Sequence, residues 1–116
     1  MKLPRWLGGK PGGTKTPELI GCWRRVRSEV TAEDEEAVEL QITGEGALQY
    51  CTLTKGKWQI MKLTCRSEGD TLFTDQPSAP REERTRFSFD DGETLVLEYD
   101  GKKAWYRRST PQAPAV

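Results

Sequence analysis

A chain of 116 residues is long enough for one domain with a modest core and too short for two. Only 34% of its residues are apolar and 31% are charged, with 18 bases balancing 18 acids, so the core must be thin and the surface heavily solvated. The complete lack of histidine excludes Ser/His/Asp and Cys/His catalysis, histidine-based metal sites and histidine-ligated haem.

The first 16 residues read as a flexible arm. Pro4 and Pro11 alternate with Gly8, Gly9, Gly12 and Gly13, and Lys2, Arg5, Lys10 and Lys15 face no acid. The glycines do not form a phosphate loop, because no Gly-Lys-Ser/Thr ending follows them. Pro4 and Arg5 interrupt the opening residues before any apolar run develops, so no secretory leader is expected, and no stretch approaches the roughly 20 apolar residues that span a bilayer. Cys22, Cys51 and Cys65 are odd in number and lack a CxxC spacing. They are expected to be reduced and mostly buried, which favours a cytoplasmic location.

Thr16-Pro17-Glu18 predicts a short helical turn, with proline at its first position. From there to Arg108, turn signals recur at Gly44-Glu45-Gly46, Lys55-Gly56, Glu68-Gly69-Asp70, Gln76–Pro80, Asp91-Gly92 and Asp100-Gly101. Their spacing is that of an all-β sandwich or barrel, and it places strands over 20–28, 36–43, 47–54, 57–66, 71–75, 82–89, 94–99 and 103–108. Thr31-Ala32-Glu33-Asp34 matches a capping box, although its acids equally suit a solvated loop. The domain is therefore expected over residues 17–108, with a disordered tail over 109–116.

Hairpin geometry assigns the faces. Val38, Leu40 and Ile42 alternate with polar residues and point inward. A three-residue loop at 44–46 sets Ile42 opposite Leu48 and Leu40 opposite Tyr50. The later hairpins pair Phe87 with Leu97, Phe89 with Leu95, Leu97 with Ala104 and Leu95 with Tyr106, so every step joins apolar to apolar. Strand 57–66 is the exception. A two-residue turn at Lys55-Gly56 pairs Tyr50 with Met61 and Leu48 with Leu63, but it sends Cys51, Leu53, Trp58 and Ile60 outside together. Either a β-bulge near Ile60-Met61 or a covering segment hides these side chains, or they form a contact surface.

Leu19-Ile20-Gly21-Cys22-Trp23, the Asp91-Gly92-Glu93-Thr94-Leu95-Val96-Leu97 hairpin and the Tyr106-Arg107-Arg108 ending resemble the short bacterial lipocalin-like (calycin-type) domains. The resemblance spans residues 18–108 and implies a single small antiparallel up-and-down barrel of about eight strands. It also implies a structural plug in which Trp23 closes one end and Arg108, which shares parity with Tyr106, stacks over it. The chain departs from secreted lipocalins in being shorter and in lacking a C-terminal helix, so any pocket is expected to be shallow. Strand number and spacing alone also fit an Ig-like β-sandwich.

The expected role is non-catalytic. Asp34-Glu35-Glu36, Glu82-Glu83 and Asp90-Asp91 read as solvated turns, and Cys65, although beside Arg66, reads as a small buried hydrophobe. No cofactor or metal is expected. The leading expectation is a small apolar ligand held in a shallow pocket lined by Leu40, Tyr50, Met61, Leu63, Phe87, Leu97 and Tyr106. The alternative is a protein-interaction or self-association module working through Leu53, Trp58 and Ile60. Arg24, Arg25, Arg27, Arg107 and Arg108, with Trp105 and Trp6 as stacking surfaces, could suit a single nucleic-acid strand. Nearby Glu29, Glu93 and Glu98 offset those arginines and the body is net acidic, so nucleic acid is not the expected partner.

Overall fold

The computed structural model describes residues 16–30, 35–77 and 80–114; most of the basic arm and the capping-box segment Thr31–Asp34 lie outside the described residues. A 3-10 turn over Pro17–Leu19 leads into eight strands. These are β1 (Gly21–Ser28), β2 (Ala37–Ile42), β3 (Ala47–Thr54), β4 (Lys57–Glu68), β5 (Thr71–Asp75), β6 (Glu83–Asp91), β7 (Thr94–Tyr99) and β8 (Lys102–Arg108). Each strand pairs antiparallel with the next, and β8 returns to β1 to close an up-and-down barrel. Closure decides between the two predicted architectures. In a sandwich the first and last strands would leave free edges, whereas here β1 bonds to both β2 and β8.

Turn chemistry sets the register. Lys55 and Gly56 have φ of 52° and 76°, and Asp100 and Gly101 have 53° and 78°. Two left-handed residues in succession match the twist of a two-residue hairpin. The pairings follow: Tyr50 opposite Met61, Leu48 opposite Leu63, Leu97 opposite Ala104 and Leu95 opposite Tyr106. The β3–β4 ladder runs without interruption from Ala47–Thr64 to Thr54–Lys57. No bulge forms at Ile60-Met61, and Leu53, Trp58 and Ile60 stay on the outer wall, each partly exposed.

The bulges lie elsewhere. One is at Val26, between the Arg25–Tyr106 and Arg27–Trp105 pairs, and one at Asp90. Extra residues of this kind re-aim the side chains that follow them. Val26 and Arg27 both point out as a result, and the Arg27 guanidinium stacks 4.3 Å from the Trp105 ring centroid on the outside. Arg25 is left facing in.

The apolar core is a single cluster that takes in Leu48, Leu72 and Tyr106 as well as the residues around Trp23. Leu19, Trp23, Leu40, Ile42, Phe87 and Leu95 are buried there, with Phe89 packed edge-on against Phe87 and tilted against Trp23. Cys65 joins this buried set. No helix among the described residues is long and apolar enough to cross a membrane.

Candidate functional site

The closed end is built around Trp23, which is 0% exposed. Its indole Nε1 donates to the Leu19 carbonyl at 2.9 Å, so the 3-10 turn is pulled under the barrel as a floor. The Arg108 guanidinium lies 4.3 Å from the Trp23 ring centroid. Its Nη1 donates to the Ile20 carbonyl at 3.0 Å and its Nη2 to the Glu18 carbonyl at 2.6 Å. One side chain thus covers the ring and satisfies two carbonyls of the entering chain. Gly21 makes the approach feasible: at φ +135° it carries no Cβ, and one placed there would sit 2.9 Å from Arg108 Nη1.

The other end is open. It holds a cavity of about 490 Å³ whose buried lining includes Leu48, Leu72 and Tyr106. Leu63, Leu97 and Ala104 form its walls, while Met61 (42% exposed) and Tyr99 sit at the exposed margin. A depression between β4 and Gln76-Pro77 has a larger volume, about 670 Å³, but it is more open and carries Gln59 and Lys62. The barrel cavity is the one with a buried apolar floor and converging polar groups, the usual form of a small-molecule site.

Four of those polar groups lie together. Arg25 Nη2 donates to Glu35 Oε1 at 3.0 Å, with both side chains about four-fifths buried. Tyr50 and Tyr106 line the same space. Burial first, then the Glu35 charge, raises the Tyr50 phenol, partly opposed by Arg25. Burial first, then Tyr50, raises Tyr106 further. Both hydroxyls therefore keep their protons at neutral pH and can donate.

A second polar cluster lies outside the barrel. Glu39 on β2 is 0% exposed although it faces outward, because residues 109–114 fold back along the wall. Its carboxylate accepts from Gln41 Nε2 at 2.7 Å, Gln112 N at 3.0 Å and Ala113 N at 3.2 Å. Arg24 Nη2 is 3.6 Å away. Burial pushes this carboxyl upward, but the three hydrogen bonds and the Arg24 charge outweigh it, and the net direction is down. Where the sequence reads a disordered tail, Ala113 is 7% exposed and its N–H is bound. Nothing in a run of Ser109-Thr110-Pro111-Gln112-Ala113-Pro114 signals this, since the carboxylate that holds it lies 74 residues away.

Five of the sequence-predicted pocket residues, Tyr50, Met61, Leu63, Leu97 and Tyr106, line the cavity together. Leu40 and Phe87 do not. They point inward but belong to the filled half with Trp23 and Leu95. Sequence reasoning missed Arg25, Glu35, Leu48 and Leu72 as lining residues. Arg25 was legible in principle, since it stands two positions after Trp23 on the same face. Glu35 was not, because it comes from the connection before β2 and sequence alone reads it as solvated. Of the other basic side chains considered for nucleic acid, Arg24 lies near Glu39, Arg27 on Trp105 and Arg108 over the plug and 3.9 Å from Glu93, while Arg107 is exposed opposite Arg24 in the β1–β8 ladder.

The chain matches no protein-family model and none of the curated proteins. Among the described residues, no three His, Cys, Asp or Glu side chains are grouped so as to hold a metal ion.

Proposed function

We propose that the chain is a non-catalytic binding barrel that holds a small, largely apolar molecule in its open end. The observation that carries this reading is the division of the interior. One half is plugged by Trp23 and Arg108, while the other keeps a cavity of about 490 Å³ over a buried floor of Leu48 and Leu72. A cavity of that size falls within the range of small-molecule sites. The absence of histidine from the sequence, and the upward shift of the Cys22 and Cys51 thiols, leave little for acid–base or nucleophilic catalysis. Kinship with the bacterial lipocalin-like domains belongs to the same proposal and is supported by the Gly21-Cys22-Trp23 opening and the Arg108 cover. A cytoplasmic setting is supported by three free thiols.

The test is titration with the neutral fluorophore N-phenyl-1-naphthylamine. Saturable binding with quenching of tryptophan emission is expected, and Leu97→Trp, which fills the cavity, should abolish it while leaving the far-ultraviolet circular dichroism unchanged. Absence of saturable binding, or equal binding by a folded Leu97→Trp variant, would sink the proposal.

A second reading, a protein-contact surface, is favoured by the uninterrupted β3–β4 register, which aligns Leu53 directly opposite Trp58 and leaves Ile60 on the same outer wall. Sedimentation velocity tests it for self-association: Trp58→Ser should lower the association of the wild-type chain, and a monomeric wild type would remove a second copy as the partner.

A further inference from the structure

Strand β4 outruns one of its neighbours. β3 pairs with it from Lys57 to Thr64, but β5 meets it only from Thr64 onward, so among the described residues Lys57–Leu63 has a strand on one side alone. β5 stops for a local reason: continued in the same register, Pro77 would stand opposite Lys62, and proline has no N–H to give a ladder. Residues of an antiparallel strand turn their N–H and C=O to either side in alternation. Cys65 N donates to the Gly46 carbonyl at 2.8 Å, on the β3 side, whereas Thr64 pairs with Asp75 on the β5 side. Trp58, Ile60 and Lys62 share the parity of Thr64, so their backbone groups face the open edge. Beside Ile60 and Lys62 that edge borders the depression of about 670 Å³ in front of Gln76-Pro77, which leaves a strand room to enter. Such an edge is a template for another strand unless it is short, bulged or broken by proline. This one has neither bulge nor proline, and it carries Trp58 and Ile60 on its outer face.

We propose that this edge of β4 pairs antiparallel with the same edge of a second copy of the chain, joining two barrels across a two-fold axis at Ile60. The inference rests on the contact-surface reading, names its partner and its hydrogen bonds, and is independent of the cavity ligand. Only outward-facing residues can form the hydrogen-bonded pairs, so the register can shift only in steps of two. Centred on Ile60, it sets Ile60 opposite its own copy and Trp58 opposite Lys62 on either side, which engages every outward N–H and C=O between the Lys55-Gly56 turn and Thr64. Centred on Gln59, it leaves Lys62 facing the turn. Centred on Met61, it drives Trp58 against Thr64, which β5 already holds. The Ile60 register also places each Lys62 ammonium beside the partner's Trp58 ring and opposite no like charge. The N-terminal arm suits the edge less well, since it would bring Pro4, Pro11 and four unopposed bases to a strand whose only charges are Lys57 and Lys62.

The experiment is sedimentation velocity of the full chain over a concentration series, with amide exchange measured on the same samples. A monomer–dimer equilibrium is expected. As the dimer comes to dominate, exchange at Trp58, Ile60 and Lys62 should slow about tenfold, whereas Gln59 and Met61, already bonded to β3, should change little. Lys62→Pro removes one outward N–H and leaves the β3 ladder its donors, so it should weaken association about tenfold or more with the far-ultraviolet circular dichroism unchanged. The amide pattern of the wild-type chain keeps the test decisive if Lys62→Pro does not fold. Association without slowing at those three amides, or association undiminished in a folded Lys62→Pro chain, would overturn the edge pairing and leave the contact-surface reading standing. A chain that stays monomeric throughout the series would overturn the proposal together with the self-association form of that reading.

Discussion

Removing the Glu39 carboxylate should release the C-terminal tail and destabilise the whole barrel. Glu39→Ala deprives Gln41, Gln112 and Ala113 of their shared acceptor and leaves Arg24, whose Nε and Nη2 are already buried without a hydrogen-bond partner among the described residues, without the carboxylate that faces it. Each donor stranded in a buried site costs about 1 kcal/mol or more, and breaking a buried ion pair costs about 3–5 kcal/mol when both charges are sealed in. Arg24 keeps 30% of its side chain exposed, and the freed tail regains chain entropy, so both figures are upper limits here. A loss of about 3 kcal/mol is the resulting expectation, or a fall in melting temperature of about 12–24 °C for a domain of this size. Thermal melting followed by circular dichroism measures the destabilisation, and carboxypeptidase digestion followed by mass spectrometry measures the release of the tail. In a chain ending at Pro111, which already lacks Gln112 and Ala113, the same substitution should cost less, because the two sites are coupled. A melting temperature within about 3 °C of wild type, undiminished protection of the tail, or equal losses in the full and shortened chains would refute the reasoning.

The same carboxyl makes tail docking acid-sensitive. Its folded pKa lies below the ordinary 4.5, so its contribution is complete above that value and is lost as the pH falls through the lower folded value. Amide exchange at Ala113 should be slow at pH 6 and 7 relative to its intrinsic rate and lose protection only below about 4.5, and Glu39→Gln should remove that pH dependence. Gly21→Ala should cost about 1–3 kcal/mol in urea denaturation, because it adds left-handed strain and drives a Cβ against the pinned Arg108 guanidinium. Gly56→Ala, at φ +76° with nothing within 4 Å, carries the strain alone, and an equal or larger loss there would contradict the steric part of the argument. Burial first, then Glu39, pushes the Cys22 thiol up to about 11, and the same causes in the same order push Cys51 up to about 11. Both should react with a disulfide reagent at pH 7.5 far more slowly than in denaturant, and Glu39→Gln should speed Cys22, whose thiol the carboxylate holds protonated.

Much of the fold was written locally. Strand number follows from turn residues at Gly44–Gly46, Lys55-Gly56 and Asp100-Gly101, because the few turn types that join antiparallel strands each dictate a register. Register then dictates faces, since side chains alternate with a period of two. That is why the Leu40–Tyr50, Tyr50–Met61 and Leu95–Tyr106 pairs could be set down from the sequence and are the pairs observed. The outward position of Trp58 and Ile60 followed from the same rule, and the bulge invoked as one way to hide them does not form.

Three decisions belonged to the tertiary structure. Which inward residues fill the barrel and which line its cavity depends on tilt and stagger accumulated around all eight strands, so Leu40 and Phe87 fell in the plugged half while Leu48 and Leu72 became the cavity floor. The bulge at Val26 has no local signature, yet it separates Arg25 inside from Arg27 outside. The pairings of Arg25 with Glu35, and of Glu39 with Gln112 and Ala113, join segments 10 and 73–74 residues apart. The sequence by itself determined strands, turns, faces and the parity of the plug, because these depend on neighbours along the chain. Only the closed barrel decided where space remains and which charges meet in it, because those depend on neighbours in three dimensions.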